Sequence, residues 1–142
     1  DACGLYSELI VRALDGASRA TILDTASIPN ELFYDGSNSD ILAIAKGSYS
    51  QKMPPEIKGT GYVVDAIEAA LWAFHHSDSF EEGALMAVNL GDDADTTGAI
   101  FGQLAGAFYG ESGIPAAWRE RLTQHNLITE YAEQLCALSE RL

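Results

Sequence analysis

An all-α fold is predicted by three observations. Apolar residues recur at helical spacing in several windows, no window alternates as a strand would, and capping signals stand where those windows begin and end. At 142 residues the chain has the size of one domain, with no internal repeat and no low-complexity segment.

Leu5, Leu9, Ile10, Ala13 and Leu14 mark one face of a helix over about residues 2–15, stopped by Gly16. A shorter helix is expected around Ala20–Ala26. Residues 27–38, with Pro29, Asn30, Gly36 and Asn38, read as loop. Ser39 or Asp40 is placed to cap a short helix through Ile41, Leu42, Ile44 and Ala45. Residues 47–61 hold three glycines and the Pro54–Pro55 pair, a loop long enough to suggest a functional role.

From Tyr62 the stripe Val63, Val64, Ile67, Ala70, Leu71, Phe74 predicts a helix ending near His75 and His76, which would act as favourable caps there. Ser79 followed by Glu82 has the capping-box form and opens a helix that Gly91 stops. A helix from about Asp95 to Tyr109 follows. Pro115 suits the first turn of another, and residues 127–141 form a last amphipathic one.

A net charge of −13, with only eight Lys and Arg, argues against nucleic-acid binding, which needs basic side chains against the phosphates. No apolar run is long enough for a membrane span, and no signal peptide is visible. Cys3 and Cys136 have no metal-ligand spacing, so core packing and a reducing cytoplasm are expected.

The acidic loop carries the chemistry. Asp92, Asp93 and Asp95 precede a helix and are followed by Thr96 and Thr97. Side chains two apart can converge, so Asp93 and Asp95, with an oxygen of Thr96, suit Mg²⁺ or Mn²⁺. A single helix cap needs one carboxylate, and three crowded ones repel unless something neutralises them. A calcium loop starting at Asp93 would need glutamate where Leu104 stands, and an aspartic-protease motif would need a glycine after Asp95-Thr96. Along the following helix, Gly98, Gly102, Gly106 and Gly110 recur every fourth residue. Each interior glycine costs about 1 kcal/mol against alanine, so a smooth face approached closely by another helix is expected, with this helix at the centre of the fold.

Asp93-x-Asp95-Thr96 with its small-residue helix resembles the carboxyl-terminal metal motif of the ADP-ribosylglycohydrolase family. Gly61-Tyr62-Val63-Val64-Asp65, Ala69-Ala70-Leu71-Trp72, Phe80-Glu81-Glu82 and Ala87-Val88-Asn89-Leu90-Gly91 are similar to the segments that precede it, in the same order. The likeness is strongest over residues 59–112. It implies a compact all-α domain, of which residues 1–142 are the carboxyl-terminal part, and an enzyme that hydrolyses the glycosidic bond of an ADP-ribosylated protein or a small ADP-ribose conjugate.

By the same resemblance two Mg²⁺ or Mn²⁺ ions occupy the complete site. Asp93, Asp95 and Thr96 would be metal ligands, Asp93 and Asp95 also catalytic, and Gly61, Tyr62 and Asp92 substrate-binding. Tyr62 alternatively staples the start of its helix. The family's amino-terminal Thr-Asp-Asp motif does not occur here, so a missing amino-terminal half, or self-association, is expected to complete the site. A divalent-metal nucleotide phosphohydrolase, or an inactive half-domain serving as a folding or interaction module, are the competing readings.

Overall fold

The computed structural model describes residues 1–24, 28 and 39–139. Most of the loop expected over 27–38, the end of the helix expected to reach Ala26, and the last residues of the final helix lie outside them. Among the described residues there are eight α-helices and no strand: α1 (Ala2–Leu14), α2 (Arg19–Leu23), α3 (Ser39–Ala45), α4 (Val63–His76), α5 (Phe80–Val88), α6 (Ala94–Tyr109), α7 (Ala116–Arg119) and α8 (His125–Ser139). None is long and apolar enough to cross a membrane.

The stops follow the expected chemistry. Gly16 takes φ +77 after α1, its N–H bonding Ala13 O at 3.1 Å while Ala17 N bonds Arg12 O at 3.0 Å, the paired bonds of a Schellman ending. Ser18 caps α2 by accepting from Thr21 N. Ser79 Oγ accepts from Glu82 N at 3.1 Å at the start of α5, and Glu82 reaches back to the N–H of Asp78, one residue before the cap, at 2.8 Å, a variant of the expected capping box.

Helix α6 is the hub, packed against α1, α4 and α5. Phe101, Leu104 and Ala105 of α6 are fully buried, together with Leu71 and Phe74 of α4 and Leu5 and Leu9 of α1. Phe74 meets Phe108 edge-on at 5.3 Å, and Phe80 lies 5.8 Å from Phe101. The Tyr6 hydroxyl donates to Ile100 O and ties α1 to α6, and burial pushes that phenol well above its ordinary range. Arg19 joins three helices: its guanidinium lies over Phe74, Phe108 and Tyr109 and donates to Ser77 O and the Tyr109 hydroxyl.

The glycine face differs from expectation. At Gly98 an added Cβ would sit 2.8 Å from Val88 Cγ1, so α5 does approach closely there. At Gly102 and Gly106 an added Cβ would meet nothing within 4 Å among the described residues, and Gly110 lies outside the helix as its cap, at φ +69. The tightest helix approach is made by α5 instead, where a methyl on Gly83 would overlap the Phe101 ring and the Ser77 hydroxyl.

Two further expectations are corrected. Cys3 and Cys136 are exposed, because each falls on the outer side of its amphipathic helix. His75 and His76 end α4 as expected, but the His75 pKa is lowered by burial, then by His76 and Arg19, so its charged form is disfavoured there. Helix α8 buries no residue: Leu127, Ile128, Tyr131, Leu135 and Leu138 all stand exposed.

Candidate active site

Residues 47–62, between α3 and α4, are fastened to α4 at several points. Tyr49, in a short 3₁₀ turn (Ser48–Ser50), is buried, which pushes its phenol up to about 12. Lys52 Nζ reaches both oxygens of Glu68, at 2.7 and 2.8 Å. Nearer the helix, Thr60 Oγ1 donates to Asp65 at 2.8 Å and accepts the Tyr62 N–H at 3.2 Å. Thr60 thereby sets the turn that presents Gly61 and Tyr62. The Tyr62 side chain is 53% exposed, more than a ring stapled over its helix start would be.

The acidic loop lies directly against this segment. The Asp93 N–H donates to Gly59 O at 2.7 Å. Gly59 itself is buried, and a Cβ there would come to 2.9 Å from Gly91 O, 3.1 Å from Leu90 Cβ and 3.2 Å from Thr97 Oγ1. A Cβ on Gly61 would fall 2.7 Å from Asp93 Oδ2. Gly59 is therefore required by close approach to backbone and not by backbone angle, whereas at Gly61 an added side chain would displace the end of the Asp93 carboxylate. Gly91 and Asp92 take successive left-handed φ values of 79 and 55, the turn that carries the chain from the end of α5 into α6.

Asp93 and Asp95 are brought together as the spacing predicted. A hydrogen bond with Asp93, then the backbone N–H groups of Thr96 and Asp95, hold the Asp95 carboxyl below the usual range. Thr96 stands in the first turn of α6 with its N–H turned to that carboxylate. Asp92 parts from the other two, lining a cleft of about 720 Å³ between residues 54–60 and α4–α5, with Trp72, Leu85, Met86 and Leu90 among its walls. The crowding of three carboxylates inferred from sequence is thus a pair plus one.

No group of three His, Cys, Asp or Glu side chains suited to a metal ion converges among the described residues. The donor set here, two adjacent carboxylates with a threonine beside them, is nonetheless of the oxygen type that Mg²⁺ and Mn²⁺ select. Gly61 leaves room at Asp93 Oδ2 that any side chain would fill. The residues present fit part of a hard-cation site.

Gly59, Thr60 and Thr97 received no role from the sequence. Gly59 and Gly61 flanking one residue ahead of a helix was a signal for close backbone approach. Thr97, four residues after Asp93, had the spacing at which a threonine hydroxyl bonds back to a carbonyl.

Comparison with known proteins adds to this geometry. The sequence model of the ADP-ribosylglycohydrolase family matches residues 1–142. The chain is 48% identical over 95 residues to the ADP-ribosylarginine hydrolase Tri1 of Serratia proteamaculans, covering 67% of this chain and 26% of that protein. Against Tri1 of Pseudomonas putida it is 47% identical over 94 residues, covering 66% and 25%. Against the ADP-ribosyl-[dinitrogen reductase] glycohydrolase of Rhodospirillum rubrum it is 41% identical over 69 residues, covering 49% and 24%. A solved structure described as an ADP-ribosylglycohydrolase-related protein complex aligns with a TM-score of 0.76 at 37% identity, over 86% of this chain and 41% of that one. The matched region spans about a quarter of the length of these curated relatives.

Proposed function

Because this chain belongs to the ADP-ribosylglycohydrolase family, we propose that it forms one wall of a metal-dependent active site that hydrolyses ADP-ribosyl-arginine in proteins. The observation that carries the reading is the Asp93 carboxylate held against Gly61, with Asp95 beside it. Arginine as the leaving group is supported by the two relatives named for ADP-ribosylarginine.

Asp93, Asp95 and Thr96 would hold Mg²⁺ or Mn²⁺. Such an ion would supply a Lewis acid for ribose hydroxyls and lower the pKa of a water. The chain's own residues do the rest. Asp93 or Asp95 accepts a proton from the water whose oxygen attacks the anomeric carbon. The C–N bond breaks, and the leaving guanidine takes a proton and departs as arginine. Gly61 lets the ribose approach the backbone closely, Tyr62 offers its exposed ring to the ADP-ribose, and Asp92 borders the side from which the carrier protein enters.

Two carboxylates and a threonine are too few for two ions, so further ligands come from polypeptide beyond residues 1–142 or from a second copy. The free, exposed Cys3 and Cys136 suit a reducing compartment such as the cytoplasm.

The test is incubation of the protein, alone and with an amino-terminal complement, with an ADP-ribosylated arginine substrate and Mg²⁺, Mn²⁺ or chelator. Free ADP-ribose should appear only with metal and complement, and Asp95→Asn should lower the rate by about 10²–10⁴-fold. Release of phosphate in its place would replace this reading with a nucleotide phosphohydrolase. No release under any condition would leave a folding or interaction module.

A further inference from the structure

Thr97 is fully buried, at 0% exposure. Its hydroxyl donates to Asp93 O at 3.0 Å, and its own N–H bonds the same carbonyl at 3.0 Å. On the other side of Asp93, the N–H is taken by Gly59 O at 2.7 Å. Thr97 Oγ1 also lies where it would crowd any side chain on Gly59. Both peptide groups of Asp93 are therefore fixed, one by the segment leading to Tyr62 and one by the first turns of α6, and the Thr97 hydroxyl stands at the junction.

We propose that Thr97 is a positioning residue: it locks the Asp93 backbone against Gly59, so that the Asp93 carboxylate and the Gly61–Tyr62 segment are held in one fixed relation. The inference rests on Asp93 being a cation ligand, and adds a residue that touches neither cation nor substrate. Removing the hydroxyl leaves Asp93 O still bonded by the Thr97 N–H, so no carbonyl is orphaned and the fold is kept. What is lost is the second restraint on the Asp93 carbonyl. Outer residues that orient metal ligands typically contribute about 10–100-fold in metal affinity.

The test is a Mn²⁺ titration of the wild-type protein, Thr97→Val, Thr97→Ser and Thr97→Ala, with a thermal melt and the hydrogen-exchange rate of the Asp93 amide measured without metal. Thr97→Val should weaken Mn²⁺ by about 10–100-fold and speed Asp93 exchange, with the melting temperature nearly unchanged. Thr97→Ser, which keeps the hydroxyl, should restore both. Thr97→Ala, which also lacks the hydroxyl but adds no bulk, should reproduce the valine result and decides the matter if the valine variant does not fold. Wild-type affinity and exchange in Thr97→Val or Thr97→Ala, or equal loss in Thr97→Ser, would overturn the proposal. If the wild type alone binds no Mn²⁺, the titration is made with the amino-terminal complement present; no binding there defeats the metal reading, and Asp93 exchange alone judges Thr97.

Discussion

Helices α4 and α8 are nearly equal in length, 14 and 15 residues, and both carry an apolar stripe, yet α4 buries nine residues and α8 none. On α4 the alanines Ala66, Ala69, Ala70 and Ala73 let α5, α6 and residues 47–62 close around it, and Phe74 and Leu71 fill the space between. On α8 the stripe Leu127, Tyr131, Leu135, Leu138 faces away from the other described elements. An amphipathic pattern states that a face is meant to be covered; it does not state by what. The site lies on the well-packed side of that contrast, since α4, α5 and α6 hold both of its loops.

The contrast can be broken most sharply at Phe74. Phe74→Ala should cost about 3–5 kcal/mol, whereas Leu135→Ala should stay within about 0.5 kcal/mol, both read by chemical denaturation. A large loss at Leu135 would mean that α8 is covered in solution. Next in size, Gly83→Ala should cost about 1–3 kcal/mol, because the new methyl overlaps Phe101 and Ser77 at the α5–α6 contact.

Within α6 the sign should reverse. Gly102→Ala and Gly106→Ala should each stabilise by up to about 1 kcal/mol, since nothing among the described residues stands in the way of the methyl and alanine is the better helix former. If either destabilises the isolated protein, the open face is covered. If stabilisation of the isolated protein is accompanied by loss of activity when the complement is added, the face is a contact surface for it.

The smallest effect concerns acid. The fold holds the His75 pKa below its ordinary value of about 6.5, so the unfolded chain binds the extra proton first as pH falls. Between that ordinary value and the lower folded one, stability should rise with pH, and it should fall as the medium is acidified. His75→Gln should flatten this dependence slightly in melts across that range, while changing little at pH 8.

Much of the fold was legible because its signals are local. The stripe from Val63 to Phe74, the Ser79–Glu82 cap, and the glycine stops at 16 and 91 are each decided by a few adjacent residues. The pairing of Asp93 with Asp95 was legible for the same reason. What escaped were contacts between distant segments: Gly59 under Asp93, Gly83 against Phe101, and the openness around Gly102 and Gly106. A four-residue glycine period looks the same whether its neighbour is a helix or open space. The cysteines were misjudged likewise, because an amphipathic segment has two faces and each cysteine stood on the outer one.

The turn at Gly91–Asp92 has a consequence for how the acidic run would tolerate change. With φ at 55, position 92 disfavours β-branched and bulky residues and accepts glycine, asparagine or aspartate, whatever their charge. A saturation library selected only for a folded protein should therefore already be narrow at 92 and broad at the exposed position 95. Adding selection for activity should narrow 92 further, toward aspartate, and collapse 95 to a carboxylate. Two aspartates in one short word would then answer to different selections, one to backbone shape as well as charge and the other to charge alone.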